Sequence, residues 1–166
     1  GKLKRVLKYL KGMRGLKLTL TADDMSVIKW WIDAAYAVHE DCKGHTGAMM
    51  TLGEGGTLSG TWKQKIQGRS STEDELIGVH DVLPQVLWSR YFIEAQGYNV
   101  EQNIVFQDNK SAILLERNGS FSSSKRTKHI KSRYFYVKDC IERGDMTVEY
   151  CPTEEMWCDV LTKPKQ

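Results

Sequence analysis

Residues 26 to 37 read S-V-I-K-W-W-I-D-A-A-Y-A, and the period of this stretch decides the fold class. Ile28, Trp30 and Ile32 alternate onto one face, the mark of a strand with one buried side. Two further short β-like runs follow at 46–52 and 58–66, and Gly53, Gly55 and Gly56 between them supply turn chemistry. Three strands on short connections predict an antiparallel meander. The period then changes to that of a helix. Ser70, Ser71 and Thr72 lead into Glu73, Asp74 and Glu75, a start of capping-box type, and Leu76, Val79, Leu83, Val86, Leu87 and Tyr91 follow at helical spacing. One long helix over 72–95 is expected. Pro84 should kink or split it, because proline removes an internal hydrogen bond and clashes with the preceding turn.

Alternation returns at 103–107 as a fourth strand, followed by a short helix over 109–117. A loop rich in serine spans 118–124, and a basic helix at 127–143, a strand at 146–150 and a final helix at 153–162 complete the chain. The order βββαβααβα, without an internal repeat, predicts an α/β fold: a five-stranded mixed sheet with helices on both faces. Upstream, Leu3, Val6, Leu7 and Leu10 fall at i, i+3, i+4 and i+7 with lysines on another side. This predicts a short amphipathic helix ended by Gly12 and Gly15.

The chain has 166 residues, 40% hydrophobic and 27% charged, so it is expected to bury an ordinary core, and disordered, collagenous and coiled-coil classes are excluded. No run approaches the roughly 18 apolar residues of a membrane span, and the N-terminus alternates apolar with basic residues where a secretory signal would be apolar. A soluble intracellular protein is expected. Cys42, Cys140, Cys151 and Cys158 form no CxxC pair and no zinc-like spacing, and are read as free thiols.

The net charge of +3 hides an asymmetry: residues 1–17 hold seven basic groups and no acid, leaving −4 on the remainder. A second acid-free basic run comprises Lys125, Arg126, Lys128, Lys131 and Arg133. Two separate basic patches suit a polyanion, because counterion release needs several cations presented together; each run taken alone is equally well read as a solvated helix face.

Four carboxylates stand at element ends: Asp33 near the end of strand one, Glu75 in the first turn of the long helix, Asp108 directly after strand four, and Asp159 in the final helix. In open α/β sheets ligands collect beyond the carboxyl ends of the strands, where Asp33 and Asp108 are neighbours if strands one and four pair in parallel. Convergent acids repel unless cations neutralise them, and hard divalent ions with oxygen ligands do so.

Six segments, in order, carry a family resemblance: R-V-L-K-Y-L-K-G at 5–12, D-A-A-Y-A at 33–37, S-S-T-E-D-E-L at 70–76, Q-D-N-K-S-A at 107–112, R-T-K-H-I-K-S-R-Y at 126–134 and D-V-L-T-K-P at 159–164. The chain resembles the ribonuclease H domain of a copia-type LTR retrotransposon reverse transcriptase polyprotein over essentially its whole length. The resemblance implies the ribonuclease H-like fold for residues 21–166, with residues 1–20 a basic helix from the end of the polymerase connection region. It implies a catalytic and metal-binding set of Asp33, Glu75, Asp108 and Asp159, two Mg²⁺ ions for which Mn²⁺ substitutes, and hydrolysis of the RNA strand of an RNA/DNA hybrid. Asp33 would bridge the ions, Glu75 and Asp108 would complete one side, and Asp159 would hold the hydrolytic side. Glu75 is preferred to Glu73 because E-L-I-G-V at 75–79 matches the family's E-x-x-A-x, with Gly78 for the alanine.

The implied partners are the hybrid and the polymerase domain of the parent polyprotein, with no membrane and no small-molecule cofactor, in a cytoplasmic retrotransposon particle. Ser70, Ser71, Thr72, Asn109 and Ser111 lie next to catalytic positions and can donate to sugar or phosphate, or equally cap helices. Lys125, Arg126, Lys128 and His129, in the basic run typical of the family, are the remaining substrate-binding candidates. Two alternatives stay open: a catalytically silent module that only grips hybrid, and a transposase- or integrase-type enzyme that cuts DNA with the same fold. One departure matters, because the loop E-Y-C-P-T-E-E-M-W-C-D at 149–159 holds no histidine where cellular enzymes of this fold usually have one. Ala22, Asp23 and Asp24 read as a polar lead into strand one and not as a polymerase motif. Trp30, Trp88 and Trp157 are expected in the core, with Trp62 left open.

Overall fold

The computed structural model describes residues 1–118 and 128–163, with the backbone alone for 128–132 and 134. Five strands, β1 (Val27–Ala35), β2 (His45–Thr51), β3 (Leu58–Lys63), β4 (Gln102–Gln107) and β5 (Thr147–Tyr150), form one sheet in the order β3-β2-β1-β4-β5. β1, β2 and β3 are an antiparallel meander, whereas β4 pairs with β1 and β5 with β4 in parallel. The helices are α1 (Lys2–Gly12), α2 (Ser71–Ala95), α3 (Lys110–Asn118), α4 (Lys128–Glu142) and a four-residue α5 (Asp159–Thr162).

The alternation of β1 builds both layers. Ile28, Trp30 and Ile32 are fully buried with Val79, Val82, Leu83 and Val86 of α2 in the main core. On the other face Trp31 packs with Cys151, Met156 and Cys158. Truncating such a buried leucine as Leu83 to alanine costs about 2–5 kcal/mol. Asp74 to Val79 are buried without a break, since α2 lies between β1 and β2 on one side and α3 and α4 on the other. A Cβ at Gly78 would lie 3.3 Å from Thr46 Cγ2 and 3.5 Å from Ala34 Cβ, so a small residue is needed where α2 crosses the sheet.

Four expectations change. Helix α2 runs through Pro84 as one 25-residue helix; it is not split, because Leu83 and Val86 on either side are held fully buried in the core. Strand β3 ends at Lys63, since Gln64 turns inward and its amide donates to Thr46 Oγ1 and the Asp74 carbonyl. The final helix shrinks to α5: Thr153–Glu155 is a 3₁₀ turn, and Met156 is extended, so that both Met156 and Cys158 reach the core two residues apart, which a helix does not allow.

The fourth concerns the tryptophans. Trp30 is buried, but Trp88 is 56% and Trp157 46% exposed. Trp88 stacks on Phe92 one turn along α2, and Trp157 lies flat on Trp31 with centroids 4.4 Å apart. Trp62 is exposed as well.

Helix α1 buries none of its residues. The chain after it runs along the β2–β3 hairpin, with the Thr21 and Asp23 amides donating to the Glu54 and Leu52 carbonyls. Among the described residues no helix is long and apolar enough to cross a membrane, and the four cysteines are free, three of them buried.

Candidate active site

Parallel pairing of β1 with β4 brings the ends of the two strands together, and the first turn of α2 closes over them. One oxygen from each of Asp33, Glu75 and Asp108 lies within 4.8 Å of the others. Asp33 and Glu75 are buried and Asp108 half-buried. The position of Glu75 depends on the cap before it. Ser70 Oγ accepts from the Glu73 amide at 3.3 Å, and Glu73 reaches back to accept from the Arg69 amide at 2.7 Å. Glu73 is thereby used in starting the helix, while Glu75 faces the strands.

The electrostatics follow from this crowding. Burial pushes the Glu75 carboxyl well above the usual glutamate range, and Asp33 and Asp108 push it further, against the pull of the Ala34 amide. Its Oε2 is buried and finds no hydrogen-bond partner among the described residues. Burial likewise raises Asp33, against the Thr162 hydroxyl and Lys163, with Asp159 and Asp108 adding to the rise. The fully buried Cys158 thiol is pushed above the ordinary thiol range by burial and then by Asp33, Asp159 and Glu75. Its sulfur is not part of the three-carboxylate cluster.

Asp159 stands outside the three-oxygen cluster. Its Oδ1 accepts from Lys163 Nζ at 2.8 Å, and the same ammonium lies 3.9 Å from Asp33 Oδ2. Burial works against the charge on Lys163, but the bond to Asp159, with Asp33 and Asp108 beyond it, outweighs that and raises its pKa. Thr162 donates its hydroxyl to Asp33, and Thr153 donates to Asp108 Oδ2 at 2.9 Å. Sequence reasoning assigned nothing to Thr153, Thr162 or Lys163. The signal for the last two was present, since positions i+3 and i+4 from Asp159 share its helix face.

Behind Asp108 lies a second unforeseen pair. Gln107 and Glu116 are both fully buried, and with the Gln107 amide turned to donate, its nitrogen is 3.1 and 3.0 Å from the two Glu116 oxygens. Burial holds Glu116 well above the usual range, with Arg117 pulling the other way.

The remaining candidates divide. Ser70 caps α2, and Asn109 Oδ1 accepts from the Ser111 and Ala112 amides at 3.1 Å as the cap of α3. Ser71 and Ser111 are exposed and Thr72 half-buried at these same two helix starts. Lys125 and Arg126 lie outside the described residues, as do the side chains of Lys128 and His129 in the first turn of α4. Arg133, from the same basic run, pairs with Asp81 at 3.3 Å.

No protein-family model matches the chain. It is 32% identical over 165 residues to the retrovirus-related Pol polyprotein from transposon TNT 1-94 of Nicotiana tabacum, a match covering 97% of this chain. It is 29% identical over 164 residues, 98% of this chain, to the Pol polyprotein from transposon RE1 of Arabidopsis thaliana. Among solved structures, LC11-RNase H1 in complex with RNA/DNA hybrid superposes with a TM-score of 0.58 at 12% identity, over 81% of this chain and 92% of that one. The chain has the fold of ribonuclease H and is similar to part of plant-transposon Pol polyproteins. The chain spans only 12% and 11% of the length of the two polyproteins. Asp33 lies two residues before the end of β1, Glu75 near the start of α2 and Asp108 directly after β4.

Proposed function

We propose that this chain is the nuclease domain of a retrotransposon polyprotein, a divalent-metal-dependent endonuclease that hydrolyses the RNA strand of RNA/DNA hybrids. The observation that carries the reading is the convergence of Asp33, Glu75 and Asp108 within 4.8 Å, with Glu75 Oε2 buried and unpartnered among the described residues. A donor set made of carboxylate oxygens fits hard ions, Mg²⁺ first and Mn²⁺ in its place. Two such ions, when bound, would supply an activated water and charge stabilisation at the leaving 3′ oxygen.

The chain's own part is to hold and to orient. Asp33 has one oxygen fixed by Thr162, Asp108 is fixed by Thr153, and Asp159 would serve the hydrolytic side. Hydroxyls and amides at the starts of α2 and α3, from Ser70, Ser71, Thr72, Asn109 and Ser111, offer donors to sugar and phosphate. Lys125, Arg126, Lys128 and His129 add contacts to the polyanion. The RNA strand would be selected through its 2′-hydroxyls without reading sequence. Residues 1–20 belong in this reading to the end of the polymerase connection, and the polymerase domain of the same polyprotein is the partner that generates the hybrid, in a cytoplasmic particle.

Cleavage of an end-labelled hybrid, with duplex RNA and duplex DNA as controls and with Mg²⁺ or chelator, tests the proposal. Hybrid should be cut within its RNA strand only when the ion is present. Cleavage of duplex DNA in preference to hybrid, or hybrid cleavage in chelator, would overturn it.

A further inference from the structure

Lys163 bonds one of the four acids and reaches a second. Its ammonium is 2.8 Å from Asp159 Oδ1 and 3.9 Å from Asp33 Oδ2, and the Thr162 hydroxyl holds that same Asp33 oxygen. Asp159 opens α5 and Lys163 follows directly after its last residue, one turn on, so the pair is local to a four-residue helix. The consequence is visible in the geometry: three acids share a cluster and the fourth does not. An ammonium at 2.8 Å already occupies Asp159 Oδ1, and a divalent ion placed on that oxygen would meet a like charge at close range.

Resting on the metal-site reading above, we infer that Lys163 is the resident counter-cation of the site, a positioning residue that holds Asp159 in reserve and yields it when a divalent ion competes for it. The site without metal is then three clustered carboxyls and one ion pair, not four bare acids. Asp159 becomes available as Lys163 swings outward, which its half-exposed side chain permits. Lys163 therefore weakens binding of the ion that uses Asp159, while steadying the protein when that ion is absent. The roles of Asp33, Glu75 and Asp108 do not depend on it.

The test is calorimetric titration of the whole chain with Mg²⁺, without nucleic acid, on wild type, Lys163→Gln, Lys163→Arg and Asp108→Asn, paired with melting in chelator. Lys163→Gln keeps a hydrogen bond to Asp159 and removes the charge. It should bind Mg²⁺ about fivefold or more tightly than wild type, the scale of one unit charge removed from about 4 Å, and melt lower in chelator. Lys163→Arg should stay within about twofold of wild type, because the charge remains. Unchanged or weaker Mg²⁺ binding by Lys163→Gln, or equally tight binding by Lys163→Arg, would overturn the role of Lys163 alone, provided Asp108→Asn loses binding. If wild type bound no Mg²⁺, or Asp108→Asn bound it as wild type does, the metal site itself would fall and this inference with it.

Discussion

Gly47 stands directly opposite Asp33 across the β1–β2 ladder, and a Cβ placed there would lie 2.8 Å from Leu161 Cβ and 2.9 Å from Thr162 Cγ2. The absence of a side chain is what lets α5 lie on the sheet beside the acid it serves. Thr162 then reaches Asp33, and the Thr61 hydroxyl donates to the Leu161 carbonyl at 3.2 Å to hold the helix from the other side.

Gly47→Ala should therefore push α5 away with the main core intact. Overpacking of this kind costs about 1–3 kcal/mol, a fall in Tm of roughly 2–10 °C for a domain of this size. Hybrid cleavage should drop by about tenfold or more, since displacements near 1 Å at a reacting centre cost that and beyond. A melting curve beside initial cleavage rates checks both. Full activity in Gly47→Ala would mean that α5 is not needed where it lies.

Asp108→Asn should abolish cleavage and leave hybrid affinity within about twofold. It removes the charge of one member of the three-carboxylate cluster and no basic group, and the carbonyl oxygen of the new amide can still accept from Thr153. Filter binding in Ca²⁺ or chelator, alongside cleavage in Mg²⁺, separates the two quantities. Cleavage near the wild-type rate would remove Asp108 from the site.

How much of this was legible in the sequence depends on whether the signal was local. Asp33, Glu75 and Asp108 could be placed because each sits at the end of a strongly patterned element, and the parallel pairing that joins two of them follows from the element order. The burial of Trp88 was misjudged for a physical reason: periodicity tells which residues share a helix face, but not whether another element covers that face. The final helix was overextended because 153–162 contains no glycine or proline to stop it. The demand that Met156 and Cys158 both enter the second core is a tertiary one. Gly47 and the Gln107–Glu116 pair were invisible for the same reason, since each gains meaning only from a chain segment far away or a buried neighbour.

Stability without metal should fall as pH rises. Glu75 and Glu116 both titrate well above the usual glutamate range in the fold, so the folded state binds more protons than the unfolded chain between the ordinary value near 4.5 and the raised folded values. Stability is thus greatest below that window and is lost across it. In chelator, Tm at pH 5 should exceed Tm at pH 7.5 by more in wild type than in Glu75→Gln. Mg²⁺ at pH 7.5 should raise the wild-type midpoint and that of Glu75→Gln much less, because a ligand bound only to the folded state stabilises it by mass action. Asp33→Asn should behave in the same direction, its carboxyl being raised as well. Identical pH slopes in wild type and Glu75→Gln would show that Glu75 carries no repulsive burden.

Removal of residues 1–17 separates the arm's two alternative employments. The segment carries seven basic groups and no acid, and α1 buries none of its residues. Nothing in the core depends on it, so the truncated chain should melt within about 2 °C of the full one, the shift expected below about 1 kcal/mol. Hybrid affinity is a different matter. If the arm lies along phosphates, each phosphate that it no longer neutralises flattens the slope of log affinity against log salt by about 0.7–0.9, and freeing even three phosphates would cost roughly tenfold or more near 0.1 M salt. A series of binding isotherms from about 50 to 300 mM salt on both chains measures this directly. An unchanged slope with an unchanged Tm would assign the leucine stripe of α1, and not its lysines, the working role, and would place the arm against protein.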